Sequence, residues 1–543
     1  MRGHVDGFVW FIVGFTLSSM PNVAWSASGI GGNVGFWGDA GGGTQIEVAA
    51  HVNIGDPPVA TFRVYSLNGM YELYVPNGTY YVSAVMARDG VFGSPRPEDV
   101  LSWWDGDGDG EPDPVTVSGT MNNGHVINLG QVYVDADATG MNWGMSWADA
   151  YTDLQTAIDM TPAGVEIWVA EGTYVPGTSR TDSFIPKSSV RVFGGFSGTE
   201  TYRWERDWET YETILSGEIG TPDATDNCYH VVAAASSSNL SAYFDGFTIT
   251  GGYANGAGVN GSGGGIVASH GGLTVANVTV RNNYAVTNGG GAATDVGLLV
   301  AVNSRFENNT AGLHGGGFHH SAKAPNIIIN SVFTGNTAWR GGGIAVEGQI
   351  WASSWEPILV NLSLSGNSAG GEGGGIFVDT GTTNPPAAPV QIHNCIVWNN
   401  TAPFGPQISI FGGSDVPDVN YSLVQGGWVA SGSNNISTDP AFLGPPGDLR
   451  IPLGSPAVDA GDSLAVPFDE MDIDQDHDTG EPIDVDADMN PRFVDVPSVP
   501  DTGVPDGMGL TVDIGAYEAR WSELIFEDGF ESGDTTGWSS AQP

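Results

Sequence analysis

The sequence predicts an all-β chain: a right-handed parallel β-helix, or solenoid, preceded by a small β-sandwich domain. Three observations predict it. Five glycine triplets, Gly263–Gly265, Gly289–Gly291, Gly315–Gly317, Gly341–Gly343 and Gly373–Gly375, start 26, 26, 26 and 32 residues apart. An asparagine recurs in phase with them, as Asn283, Asn309, Asn336, Asn367 and Asn400. Between these markers lie short β-rich runs, such as Leu273–Val280 and Asn326–Ile329, with no sustained 3.6-residue apolar period. Fixed spacing of this kind marks a stack in which each repeat buries its apolar face against the next.

The elements follow in order. Residues 1–26 read as an export signal, with Arg2 and His4, a short apolar core from Phe8 to Leu17, and the cleavage-like Ala24-Trp25-Ser26. The core is too short to span a bilayer, and no transmembrane segment is expected after it. A secreted or outer-surface protein is therefore expected. In residues 27–131, the alternation from Gly69 to Ala84 around Pro76-Asn77-Gly78 predicts a hairpin. Residues 132–430 hold the coils. Here Ala148–Ile158 predicts an amphipathic helix and Val165–Tyr174 a strand, the helix covering the open end of the stack. Residues 431–520 form an acidic closing block, and 521–543 a tail read equally as a sorting segment or a frayed end. Within each coil the glycines are expected at a tight corner. The recurring asparagines are expected to take left-handed backbone and to bond from coil to coil.

Composition narrows the partners. The 543 residues carry 62 acidic against 16 basic side chains, a net charge of −46. That excludes nucleic acid and anionic membranes as natural partners and favours cations. Cys228 and Cys395 are too few for a disulfide framework. Cys395 stands in phase with Ser331, as a small buried residue in a turn.

Two acidic stretches are candidate calcium sites. Asp105, Asp107, Asp109 and Asp113 alternate with glycine in the manner of a calcium loop, although Thr116 stands where an EF-hand has glutamate. Asp472, Asp474, Asp476, Asp484, Asp486 and Asp488 place carboxylates at spacings of two, one face of an extended segment. A solvated or disordered acidic segment is the competing reading for both. On the coils, the residues after each triplet align in columns. The first and third are expected inside, so His320 reads as a core histidine. The second and fourth are expected outside, which makes Asp295, Glu347, Asp379 and His319 the candidate catalytic residues. Strands stack about 4.8 Å apart, so Glu347 and Asp379 would be neighbours. Paired carboxylates near 5 Å suit a retaining glycosidase. Exposed columns of so acidic a chain also collect carboxylates by chance, which weighs against catalysis.

The hairpin residues from Gly69 to Ala84 resemble the signature of the carboxypeptidase regulatory-like β-sandwich, a spacer or binding module. The block Asp448–Gly461 with Val512-Asp513-Ile514-Gly515-Ala516-Tyr517-Glu518 resembles the choice-of-anchor Q family of secreted bacterial β-helix proteins with a pectin-lyase-like fold. The Asp105 loop is similar to calcium repeats of thrombospondin type 3 or dockerin modules. The resemblance implies a cell-surface role that is structural, adhesive or glycan-binding, with calcium as the expected cofactor and an extracellular polysaccharide or a cell surface as partner. The alternative is a polysaccharide lyase or glycoside hydrolase on the same fold. The polygalacturonase motifs are absent, and the only basic residues near the column are Arg305, Lys323 and Arg340.

Overall fold

The computed structural model describes residues 29–37, 46–52, 58–64, 69–75, 78–86, 100–103, 115–117, 121–144, 146–161, 165–234, 242–321, 326–347, 357–380, 389–412, 416–469 and 481–519. The expected signal at 1–26, the loop with Asp105, Asp107, Asp109 and Asp113, the carboxylates Asp472, Asp474 and Asp476, and the tail at 521–543 lie outside these residues.

From residue 166 to 424 the chain winds as a right-handed parallel β-helix. One coil shows the plan. Leu298–Val302 lies in the first sheet, Arg305–Glu307 in the second, Thr310–Ala311 in a short corner sheet, and Phe318–Ser321 in the third. Each strand pairs in parallel with its counterparts one coil before and after, as Phe306 does with Val280 and Phe333. Inward side chains form one continuous core, which includes Leu299, Ala301, Phe306 and Phe318. Phe306 and Phe333 stack at 4.7 Å between centroids, so the core is layered like the strands themselves.

The corners divide their work among different residues. Asn283, Asn309, Asn336, Asn367 and Asn400 form the expected ladder. Asn336 Nδ2 donates to Asn367 Oδ1 at 2.9 Å, and the Asn336 backbone N–H donates to the same oxygen at 3.1 Å. Left-handed backbone falls instead on the preceding residue: Asn282, Asn308, Gly335, Gly366 and Asn399 all have φ between 53° and 71°. That column holds only asparagine and glycine because only these types adopt it cheaply. At the triplet, Gly341 takes φ +63°, while a Cβ on Gly342 would stand 2.5 Å from Gly374 O in the next coil. The triplet thus serves a left-handed turn and a close approach of backbones.

At the N-terminal end the helix is Leu154–Met160, not Ala148–Ile158. Asp153 caps it by accepting from Thr156 N at 2.6 Å. The residues before it belong to a sheet edge, because Tyr151 N donates to Tyr133 O at 2.9 Å. Leu154, Ala157 and Ile158 are buried over the first coil, so the covering role holds. The expected boundary at 131/132 falls inside one strand, Met121–Val134, which pairs with Gly29–Trp37 and then with Glu166–Ala170.

The expected hairpin is corrected. Gly69–Tyr74 pairs with Gly29–Trp37, whereas Gly78–Met86 pairs with Ile46–His51 and Val100–Trp103 in another sheet. The alternation had the right meaning, since Tyr71, Leu73, Tyr80 and Val82 share one core. It could not say that the two strands face each other across that core rather than side by side.

The closing block folds back along the coils. Its Ile514, Ala516 and Tyr517 pack on Val332, Ile396 and Leu423, and its Val466, Ile483 and Val485 on Tyr243, Val300 and Ile329. It bonds to residues at the same corner of four successive coils: Asn303 with Met489 Sδ, Asn330 with Val485 O, Ser363 with Ala516 N, and Asn394 with Asp462 O.

Candidate functional site

Sheet register builds the site. The residue before each triplet forms a corner column, in which His314 bridges Asn288 and Arg340, Arg340 pairs with Glu372, and Glu372 bridges Phe404. The triplet then turns the chain so that the second residue after it lies beside that column. This second column is His319, Ala345 and Phe377. It points outward as expected, yet His319, Ala345 and Phe377 are all buried, because the corner column shelters them. Inside, His320 is fully buried, with Nδ1 in contact with Asn326 Nδ2. Burial and the neighbouring His319 push its pKa down to about 3, so His320 is a neutral core residue.

Glu347 reaches from the next coil to both outward histidines. Its Oε1 contacts His314 Nδ1, and its Oε2 lies 3.3 Å from His319 Nε2. Burial alone would raise the Glu347 pKa, but the two imidazoles outweigh it and hold the carboxyl well below its usual range. Arg340 stands one coil along from His314, with Nε 3.2 Å from Glu372 Oε2 and its guanidinium over Phe377 and Phe411 at 5.1 and 5.0 Å. Around this half-buried polar row Leu313, Trp339, Phe404 and Phe411 are exposed, Phe404 by 67 %. The Trp339 indole lies against Gly370 and Gly371, where no side chain displaces it.

Of the four sequence candidates, the structure brings together Glu347 and His319. Asp379 is the strand partner of Glu347, as expected from the register. Asp295 lies two coils away, with Ser321 Oγ 3.3 Å from its Oδ1. Neither belongs to the set of ligand atoms that lie within 4.8 Å of one another, which is His314, His319 and Glu347. His314 was missed. The signal for it was the column Asn288, His314, Arg340, Glu372 just before each triplet, polar throughout, whereas alignment of the residues after the triplets cannot include it.

The candidate calcium ligands in the closing block have partners within the chain. Asp486 is buried. Its Oδ1 accepts from Asp488 N and Asn490 N at 2.9 Å, and its Oδ2 from Glu518 N at 3.0 Å. Asp488 pairs with Arg305 at 2.9 Å. Asp484 accepts from Arg492 N through its backbone oxygen at 2.5 Å. Beside them Arg492, fully buried, pairs with Glu518 at 2.9 Å. Another carboxylate group, not anticipated, joins Asp459, Asp495 and Asp501 within 4.8 Å. Asp459 is fully buried, and neither of its oxygens has an aligned hydrogen bond. Burial and then the Asp501 charge push its pKa up to about 6, which the Val496 N–H offsets only in part.

Comparison with known proteins adds local and fold-level likeness. Residues 361–379, one corner with its ladder asparagine and triplet, match the Chlamydia polymorphic membrane protein repeat. No curated protein matches the sequence. Among solved structures, a pectate lyase is 13 % identical over 72 % of this chain and 96 % of its own, with a TM-score of 0.34. A rhamnogalacturonan lyase is 14 % identical over 59 % and 94 %, with a TM-score of 0.31. The family 28 exopolygalacturonase of Yersinia enterocolitica is 11 % identical over 68 % and 86 %, with a TM-score of 0.17. The fold assignment rests on the sheet topology itself. Among the described residues no helix is long and apolar enough to cross a membrane.

Proposed function

We propose that this is a surface-exposed extracellular β-helix protein that holds a polysaccharide along its glycine corner without cleaving it. The observation that carries the reading is the exposed row Leu313, Trp339, Phe404 and Phe411 beside the polar row His314, Arg340, Glu372 and Glu347. An apolar patch rimmed by polar groups is a typical ligand surface. Aromatic faces suit the apolar faces of sugar rings, and the polar row suits hydroxyl and carboxylate substituents. Stacking on a rigid coil fixes these contacts along the corner, as an extended polymer requires.

Binding fits better than catalysis. A general acid needs a raised pKa and a useful base one near the working pH. Glu347 has neither, since its neighbours hold it strongly anionic. The match to a membrane protein repeat and the net charge of −46 support a surface location. Calcium is part of the proposal, with Asp459, Asp495 and Asp501 as its first ligands among the described residues.

Retention of the full chain on immobilised polysaccharides tests the reading. Trp339→Ala and Arg340→Ala should each weaken retention about tenfold, the usual loss for an anchoring side chain. Met508→Ala, another exposed apolar residue, should not. Equal retention of all three variants sinks the corner as the binding face. Turnover of a polysaccharide that disappears in Glu347→Gln would replace binding with catalysis.

A further inference from the structure

The corner brings two imidazoles and a carboxylate to one point, and the polysaccharide reading, which uses His314 and Glu347 only as polar groups beside the aromatic row, leaves that convergence unexplained. His314 Nδ1, His319 Nε2 and a Glu347 oxygen lie within 4.8 Å of one another. His319 is buried to 97 %, with relative exposure of 3 %, and its Nε2 makes no aligned hydrogen bond. His314 Nδ1 is likewise enclosed and makes no aligned hydrogen bond. Each nitrogen faces the Glu347 carboxylate, the contact available to it. Buried polar nitrogens ordinarily find a well-aligned partner.

Among the described residues the charged group that both nitrogens meet is Glu347 itself. Arg340, the nearest guanidinium along the corner column, is engaged by Glu372 at 3.2 Å. The ion pairs of Glu347 among the described residues are with the two histidines. His320, next in sequence to His319, points to the opposite side of its strand, into the core. The carboxylate and the two ring nitrogens therefore share a small volume, and among the described residues Glu347 makes no ion pair with a lysine or arginine.

We propose that His314, His319 and Glu347 bind one divalent transition-metal ion of the zinc class. Two imidazole nitrogens and one carboxylate oxygen form a borderline donor set, which suits zinc and its neighbours and is a poor match to the all-oxygen shell of calcium. The supports are rigid. His319 lies within Phe318–Ser321, paired on both sides, Glu347 ends Ile344–Glu347, and His314 is fixed by the left-handed Gly315 after it. Such backing holds ligands near their working geometry before the ion arrives. The side chains of His314 and Glu347 are 20 % and 23 % exposed, so a fourth position opens to solvent, as it does where zinc keeps three protein ligands and a water. Metal binding at this site and polysaccharide binding on the aromatic row are separable, because Trp339 and Phe404 contribute no ligand.

The experiment uses the full chain, stripped with a chelator and titrated with zinc by calorimetry in millimolar calcium. The calcium occupies weak carboxylate sites, which a chain with 62 acidic residues offers in number. Cobalt(II) absorbance in the visible region reports the ligand field in a parallel titration. The expected result is one zinc per chain and cobalt bands that saturate at the same ratio. His314→Ala, His319→Ala and Glu347→Gln should each weaken zinc binding at least ~100-fold, above the 10–100-fold typical of losing an outer-shell partner. His314 is partly exposed, so its variant tests the site even if the buried His319 variant folds poorly. Asp459→Asn should leave zinc binding unchanged. No saturable zinc binding, or binding of equal strength in wild type and His314→Ala, overturns the proposal; the second result would place the ion elsewhere.

Discussion

The asparagine ladder should be the most sensitive point of the coils, and Asn336→Ala is the perturbation that measures it. Asn336 is fully buried at the middle of the ladder. Its Oδ1 accepts from Asn309 N at 3.0 Å and from Asn309 Nδ2 at 3.1 Å. Its Nδ2 donates to Phe306 O at 2.7 Å and to Asn367 Oδ1 at 2.9 Å. Truncation to alanine removes all four. Asn309 Nδ2 keeps Val280 O, and Asn367 Oδ1 keeps the Asn336 backbone N–H. One group loses this support with nothing in its place, the Asn309 N–H, while the Phe306 C=O stays within the parallel pairing to Val332–Thr334. An orphaned buried group costs about 1–3 kcal/mol, so the loss is about 1–3 kcal/mol before any cavity term. Urea unfolding followed by tryptophan fluorescence, with hydrogen exchange at 306–337 to localise the effect, provides the assay. Asn308→Ala is the companion: it leaves the ladder and costs only left-handed strain, of order 1–3 kcal/mol. A loss below about 1 kcal/mol for Asn336→Ala would refute the ladder as a structural support.

The closing block should weaken as pH rises. Burial pushes the Asp513 pKa up to about 7, and burial followed by the Asp513 charge raises Glu518 above its usual range. A folded-state pKa above the unfolded value of about 4 gives stability that is present below pH 4 and lost as pH rises through about 7. For Asp513 the ceiling is ~4 kcal/mol. Proteolysis at residues 457–519 should be faster at pH 8 than at pH 5, and Asp513→Asn should flatten that slope; an unchanged slope would discard the linkage. Gly342→Ala should abolish soluble expression or cost several kcal/mol, since its Cβ would meet Gly374 O and Ser368 O, both backbone, at 2.5 Å. Gly454→Ala, with nothing within 4 Å, should be neutral in the same thermal melt, and similar melts for the two variants would contradict the close-approach argument.

Periodicity made the coil legible. Strand phase gave the inward column of Ile266, Ala292, Phe318, Ile344 and Ile376, and all five lie in the core. It also gave the adjacency of Glu347 and Asp379. What it could not give was contact between columns. His314 meets Glu347 only because a left-handed glycine folds the corner back on the third sheet. The two tasks of asparagine were merged for a related reason: Asn308-Asn309 is a pair in sequence, and only backbone angles show which member turns and which bonds. The closing block has no period at all. Its partners are single side chains such as Asn330 and Ser363, matched by shape and by single hydrogen bonds, and such pairing leaves no pattern in one sequence. Alternation in the N-terminal unit correctly named buried residues but was silent on which strand lies next to which.

The strap along the coils changes how the stack comes apart. A bare solenoid can unwind from its free end one turn at a time, each step opening a single interface. Here, the turn that carries Asn394 is tied to Asp462, and the same returning chain is tied to Ser363, Asn330 and Asn303 further back. Peeling the last turn therefore drags on the strap where it holds three earlier ones. Under a pulling load, rupture becomes a shared event across those coils, the difference between undoing a zip and tearing a seam that has been stitched across.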